Sequence, residues 1–388
     1  MMSHNAASSH LLNLEHLLLE IPESAYALPS HAYSTSGALR RAHLNQMALE
    51  SFLPWVRAEQ DQPARLARQS ATWPSIWEFV NGTALTVGAQ RLVLVPSEAI
   101  DGDELRVAQE WVDLPNWVAD YYVAVYVNPD EGYVQVQGYT THRQLKERGT
   151  YDAGDRAYTL STDDLIPDLN VLWVAQDLGL QTVPQATVAP LAPLPLEQAQ
   201  ALIERLGNPA VVFPRQAVPF PLWGALLAHD GWRKRLYEQR QGMVEQWSLA
   251  QWLRAGISGM AAEFGWAKPQ LQLATGLGTR SAEVGVCRML EIEGQAYTLK
   301  IGPSPESTGL ETPVWRFELA PVDGTQQIPV GMKLRLLTED LQTFDNNEDG
   351  AIAPVATLYV DVMAAPGEGI VWAVEPTPEA YEPEVLRF

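Results

Sequence analysis

A chain of 388 residues exceeds one typical compact core and argues for roughly two or three domains. Apolar residues at 46% against 19% charged can bury real cores, which excludes an extended disordered tail. The 26 Lys and Arg against 47 Asp and Glu give a net charge of −21, unsuited to nucleic-acid phosphate or anionic lipid, and the single Cys287 excludes a disulfide framework and fits a reducing compartment.

Residues 1–33 read as a leader with a short amphipathic helix, because the apolar patch from Leu11 to Ile21 is interrupted by Asn13, Glu15, His16 and Glu20. No Lys or Arg cluster precedes it, and no window approaches about 18 uninterrupted apolar residues, so the expected address is cytoplasmic with no membrane partner. From Ser36 the spacing of Leu39, Leu44, Met47, Phe52 and Val56 predicts a helix that Pro54 should kink or end. After Ile76 the period changes to two. The stretch 119–142 predicts a hairpin: Tyr122, Ala124 and Tyr126 face one way, Tyr121, Val123 and Val125 the other, and Asn128 to Gly132 reverses the chain. With 91–98 this predicts a small barrel or curled sheet, and VLWVAQDL near 171–178 a helix packed on it.

Residues 181–196 hold four prolines and no charge, a semi-rigid linker in polyproline geometry. Three helical stretches follow in 197–268, ending respectively near Gly207, near Gly242 after a break at Asp230-Gly231, and near Trp266. From Pro269 the pattern is β again, about seven strands between Gly, Pro and Asp turns, which predicts an antiparallel sandwich. The fold class expected is therefore α+β and multidomain: a leader (1–33), an N-terminal α+β domain with a small barrel-like or curled sheet (34–180), a linker (181–196), a helical connector (197–268) and a C-terminal sandwich (269–388).

Three blocks carry a resemblance: DLPNWVADYYVAVYVNPDEGYVQVQGYTTHRQLK at 113–146, WSLAQWLRAGISGMAAEFGW at 247–266, and IPVGMKLRLLTEDLQTF at 328–344. In this order they resemble the cyanobacterial family known as domain of unknown function 1822, over most of the chain from about residue 25. Ile328-Pro329-Val330-Gly331-Met332 departs mildly from that family, where a proline pair typically precedes Gly-Leu. The resemblance implies no catalytic residues. Members encoded beside sigma-factor-like and caspase-like protease genes would imply regulation or defence signalling.

Chemistry-bearing constellations are sparse. His4, His10 and His16 stand six apart and share no helix face. His142, at a strand end with Glu147 nearby, reads as a local cap or hydrogen-bonding residue, with a general base as the alternative; His229-Asp230 reads as a helix-breaking Asp-Gly with a solvated histidine, with half of a hydrolase triad as the alternative, since no G-x-S-x-G elbow is present. Cys287 alternates within a strand and reads as a small core residue. Gly276 to Ser281 has G-x-G only and reads as a turn. Thirteen tryptophans suit either a sugar-stacking platform or, in their apolar contexts, core packing. The run 345–350 matches the first half of a calcium loop, with Asp345, Asn347 and Asp349 as candidate ligands, but Ala356 stands where the bidentate Glu belongs; a hairpin loop is the alternative. The dense positive run 233–240 offers Arg233, Tyr237 and Arg240 on one side, an anchor for an acidic partner segment, the chain's own C-terminal domain included, or else a solvated helix face.

With no nucleophile–base pair, metal cluster or nucleotide loop standing out, the expected function is a soluble, non-catalytic scaffold or regulatory protein that binds a protein partner and needs no cofactor. The alternatives are a hydrolase using acidic residues at a domain interface and a sugar- or calcium-binding module.

Overall fold

The computed structural model describes residues 17–28, 32–59, 63–99, 103–177, 184–243, 245–269, 285–305, 313–379 and 381–388. Outside these fall the leader up to His16, the start of the proline-rich stretch, and the turn at Gly276 to Ser281. In chain order come β1 (Leu17–Glu20), α1 (Ser36–Glu59), β2 (Ala64–Leu66), α2 (Trp73–Trp77), β3 (Thr83–Val87), β4 (Gln90–Ser97) and β5 (Glu104–Ala108). Then follow α3 (Gln109–Asp113), β6 (Tyr121–Asn128), β7 (Tyr133–Thr141), α4 (His142–Arg148), β8 (Thr150–Asp152), β9 (Ala157–Ser161) and α5 (Leu169–Asp177). Five helices come next: α6 (Leu196–Leu206), α7 (Phe220–Ala228), α8 (Asp230–Arg240), α9 (Leu249–Ala255) and α10 (Gly259–Glu263). The chain continues with β10 (Trp266–Ala267), β11 (Val286–Ile292), β12 (Gln295–Pro303), β13 (Val314–Pro321) and β14 (Lys333–Thr338). It ends with β15 (Glu348–Gly350), β16 (Leu358–Met363), β17 (Gly369–Glu375) and β18 (Val385–Arg387).

Two contact-dense units result, each discontinuous in sequence. The first holds the β1 segment, Leu39–Leu66 and Val80–Pro190; the second holds the segment ending at Ala38, Ala67–Phe79 and Leu191–Phe388. The helices of 196–263 thus belong to the same unit as the C-terminal sheets. The fold is α+β.

In the first unit a curled six-stranded sheet runs β1-β7-β6-β4-β3-β2, antiparallel except for the parallel pair β4–β6. The hairpin of β6 and β7 closes as its sequence predicts: Asn128 takes the Gly132 N–H on its carbonyl at 3.0 Å and the Glu131 N–H on its side chain at 3.1 Å. Leu17–Glu20 pairs with β7 as a strand, which replaces the helix expected there. Its Leu17 and Leu19 are half-buried and Leu18 and Glu20 exposed, so four residues alternate as an edge strand does. Helix α1 passes through Pro54 and runs on to Glu59. The ring removes one backbone hydrogen bond near the C-terminal end, and buried Phe52, Leu53 and Val56 hold the last turns down.

A second, three-stranded sheet, β5-β9-β8, accompanies the curled one. Between Ala124 and Val125 the β6–β7 register slips, because Val125 faces Val136 while Ala124 faces Gly138, so Gln137 is an extra residue. Gly138 sits at φ +144°, and a Cβ there would lie 2.8 Å from the Ile166 carbonyl oxygen. That carbonyl is fixed by mutual backbone bonds between Tyr139 and Ile166, both 2.9 Å. Gly138→Ala is expected to lower stability by about 1–3 kcal/mol through strain and displacement of the bridge, read as a shift of the urea midpoint at constant slope.

In the second unit the sheets β10-β11-β12-β13-β16 and β15-β14-β17-β18 are antiparallel throughout and share one core, with Leu299, Phe317, Leu334, Leu336 and Trp372 buried in it. Each such side chain contributes on the order of 2 kcal/mol. Trp247, Trp252, Phe264 and Trp266 from the helical region and β10 pack into the same cluster. Twelve of the thirteen tryptophans are buried and Trp55 is half-buried, so they are core residues and supply no stacking platform.

Candidate functional site

The two histidines with catalytic potential are both committed to the backbone. His142 begins α4, and its Nε2–H donates to the Val112 carbonyl at 3.0 Å while Nδ1 accepts the Ala186 N–H at 2.9 Å. His229 occupies the break between α7 and α8; its Nε2–H donates to the Glu339 carbonyl at 2.8 Å and Nδ1 caps α8 through the Trp232 N–H at 3.2 Å. One donor and one acceptor per ring define a neutral imidazole, and burial lowers both pKa values accordingly. Neither ring has a nitrogen left for a substrate.

The positive run on α8 lies inside the protein. Nine of its eleven residues are buried, with Arg233 fully enclosed and Tyr237 and Arg240 nearly so. The solvated face is thereby corrected, and these three side chains are closed to an external partner. Arg233 donates to Ser75 Oγ at 3.1 Å, to the Leu227 carbonyl at 3.2 Å and to Asp230. Asp230 also accepts from Arg68 at 2.8 Å, and Arg68 reaches Glu382 at 3.2 Å. Burial opposes ionisation of Asp230, but Arg233, Arg68 and Lys234 outweigh it and hold the carboxyl well below the ordinary range. Arg240 bonds Glu78 at 3.1 Å and the Leu206 carbonyl at 2.8 Å, and the Tyr237 hydroxyl donates to the Ala32 carbonyl at 2.8 Å.

Lys234 stands 3.6 Å from Glu382 with its ammonium 3.8 Å from the Phe264 ring centre; burial lowers its pKa. Around the same core, Arg387 meets Glu339 at 2.5 Å and Arg288 meets Glu384 at 2.6 Å. The run therefore does bind acidic residues of the chain's own C-terminal segment. These groups are partners in a structural network of buried ion pairs.

The acidic stretch 345–350 serves a hairpin. Asp345 is exposed, Asn347 is buried and donates to the Leu336 carbonyl at 2.7 Å, and Asp349 accepts the Tyr359 N–H at 3.0 Å. Asn346 takes φ +57° as a turn requires. Asn347 thus points its amide into the ladder and away from Asp345. Among the described residues no group of three or more His, Cys, Asp or Glu is arranged to hold a metal.

Among the described residues, one surface open to macromolecular contact is the outer face of the five-stranded sheet. Residues in register share a side, so Cys287, Lys300, Glu318 and Tyr359 form one row across β11, β12, β13 and β16. Met289 and Met363 lie on the same side, 67% and 65% exposed, with Tyr359 at 49%. Arg316 grips Asp361 through two bonds of 2.8 and 2.6 Å and lays its guanidinium 4.3 Å from the Tyr359 ring centre. Met, Tyr and Arg are the residue types enriched at interface cores. Sequence reasoning missed this face: Tyr359-Asp361-Met363 alternates legibly with Leu358-Val360-Val362, yet only the register joins β16 to β13 and brings Met289 to the same side.

The blocks at 113–146, 247–266 and 328–344 fall on β6–β7–α4, on α9–α10–β10, and on β14 with the loop after it. From residue 19 to residue 387 the chain matches the family described as Protein of unknown function (DUF1822). It belongs to that family. No curated protein and no solved structure matches the chain. Among the described residues of this DUF1822 protein, no helix is long and apolar enough to cross a membrane.

Proposed function

We propose that this DUF1822 protein is a non-catalytic scaffold or regulatory protein of the cytoplasm that works by binding another protein. The outer face of the five-stranded sheet carries the reading: Met289, Tyr359 and Met363 are exposed on it beside the Arg316–Asp361 pair. Burial of three such side chains against a partner would contribute several kcal/mol. The commitment of His142 and His229 to backbone groups supports the non-catalytic side of the proposal.

The test is affinity purification from native lysate with wild type, Met363→Asp and Ile352→Ser. Ile352 is 95% exposed and lies in the loop between β15 and β16, away from the strands that form the face. A stoichiometric protein retained by wild type and Ile352→Ser is expected to fall at least about tenfold with Met363→Asp, since a charge would enter an apolar contact. Equal retention by all three, or no stoichiometric protein at all, would count against the reading.

A further inference from the structure

The first unit contains a cleft of about 770 Å³ between the curled sheet and the three-stranded one. Its floor is apolar and buried: Val95, Leu105, Ala124, Val125 and Leu160. Its rim is polar, and the β-bulge adds to it, because Gln137 is the residue that the register slip leaves over and it lines the cleft. An apolar floor, a few convergent polar groups and several hundred Å³ are the attributes of small-molecule sites.

The charges on the rim define the ligand. Arg106 is occupied by Glu104, Asp152 at 2.8 Å and Asp155 at 2.9 Å. Arg148, at the end of α4, forms no ion pair among the described residues, nor do the side chains of Asp103 and Asp164. One free cation and two free carboxylates thus rim one cleft. The Asp164 carbonyl accepts from Gln144, which lies one helical turn before Arg148, about 6 Å along the axis. Thr150, Thr159 and Gln137 add donors and acceptors to the lining.

We propose that this cleft binds a small zwitterion of short-peptide class, its carboxylate at Arg148, its ammonium at Asp103 and Asp164, and an apolar side chain on the Val95–Leu160 floor. A single amino acid shares the chemistry but fills less of the floor. The proposal is independent of the sheet-face reading, and the two fail separately.

Calorimetric titration of the full chain tests it with leucyl-leucine, with the N-acetylated and C-amidated dipeptide, and with free leucine. Leucyl-leucine is expected to bind, the capped dipeptide at least about tenfold more weakly, and leucyl-leucine on Arg148→Gln with an affinity between the two. Tighter binding of free leucine than of leucyl-leucine would reassign the source to single amino acids and overturn the peptide part. Ile352→Ser, in the loop between β15 and β16 of the other unit, is expected to leave the titration unchanged. Because Arg148 is exposed, its variant should keep the wild-type circular dichroism spectrum. No heat from leucyl-leucine at millimolar concentration, or equal affinity in wild type and Arg148→Gln, would overturn the proposal.

Discussion

Arg240→Ala is expected to cost about 3–5 kcal/mol in urea unfolding, among the largest single-site effects in the protein. The pair Arg240–Glu78 is shielded from water on both sides, and the guanidinium also satisfies the Leu206 carbonyl. Truncation strips Glu78 of its buried ion-pair partner, leaving Ser34 and Gln241 among the groups that bond it. The distinguishing measurement is the double variant Glu78→Gln, Arg240→Met, which removes both charges at similar volume and should lose less than Arg240→Met alone. A loss below about 1 kcal/mol from Arg240→Ala would mean that water reaches the pair, as at a surface ion pair.

The second large effect is a pH dependence centred on Glu238. Burial pushes its carboxyl from 4.5 up to about 8, against the Gln246 N–H, with Glu245 adding to the rise and Lys234 opposing it. An acid whose folded pKa is raised gives stability that is fully present below the unfolded pKa. As pH climbs from about 4.5 to about 8 the unfolded chain ionises first, and that stability drains away at roughly 1.4 kcal/mol per pH unit. Buried neutral His142 and His229 run the other way, since their lowered pKa values give stability that is lost on acidification. The comparison that isolates Glu238 is therefore wild type against Glu238→Gln at pH 5, 6, 7 and 8. The variant should gain on wild type with each step and level off near pH 8. A difference that stays flat across this range would sink the assignment.

The fold was legible wherever one physical period dominated. The hairpin 121–141, the helix from Ser36 and the C-terminal strands each repeat long enough for burial to follow pattern. Leu17–Glu20 was not legible, because four apolar-rich residues fit a helix turn as well as an edge strand, and only the waiting edge of β7 decides. Helix α8 misled for a different reason. A run rich in Arg and Lys reads as solvated, and nothing local shows that Glu78, Glu339 and Glu382 arrive from far along the chain to neutralise it. The acidic loop was ambiguous between ligand set and turn until Asn347 was seen bonded to Leu336. The cleft was invisible to sequence, since its lining comes from β4 through β9, and the slip that leaves Gln137 over is a property of pairing.

The charges of α8 bear on how this protein is made. Their counterparts sit near residues 68–78 and 382–387, so the second unit closes on itself only when stretches more than 300 positions apart in the polypeptide have met. During synthesis the early stretch emerges from the ribosome long before its late counterpart exists, with the whole of α8 and the sandwich still to be translated. Such closure is slow, as long-range topologies are. A recombinant piece beginning at residue 191 would carry Arg233 and Arg240 without Ser75 and Glu78, and should be recovered as aggregate where the uncut chain is recovered folded.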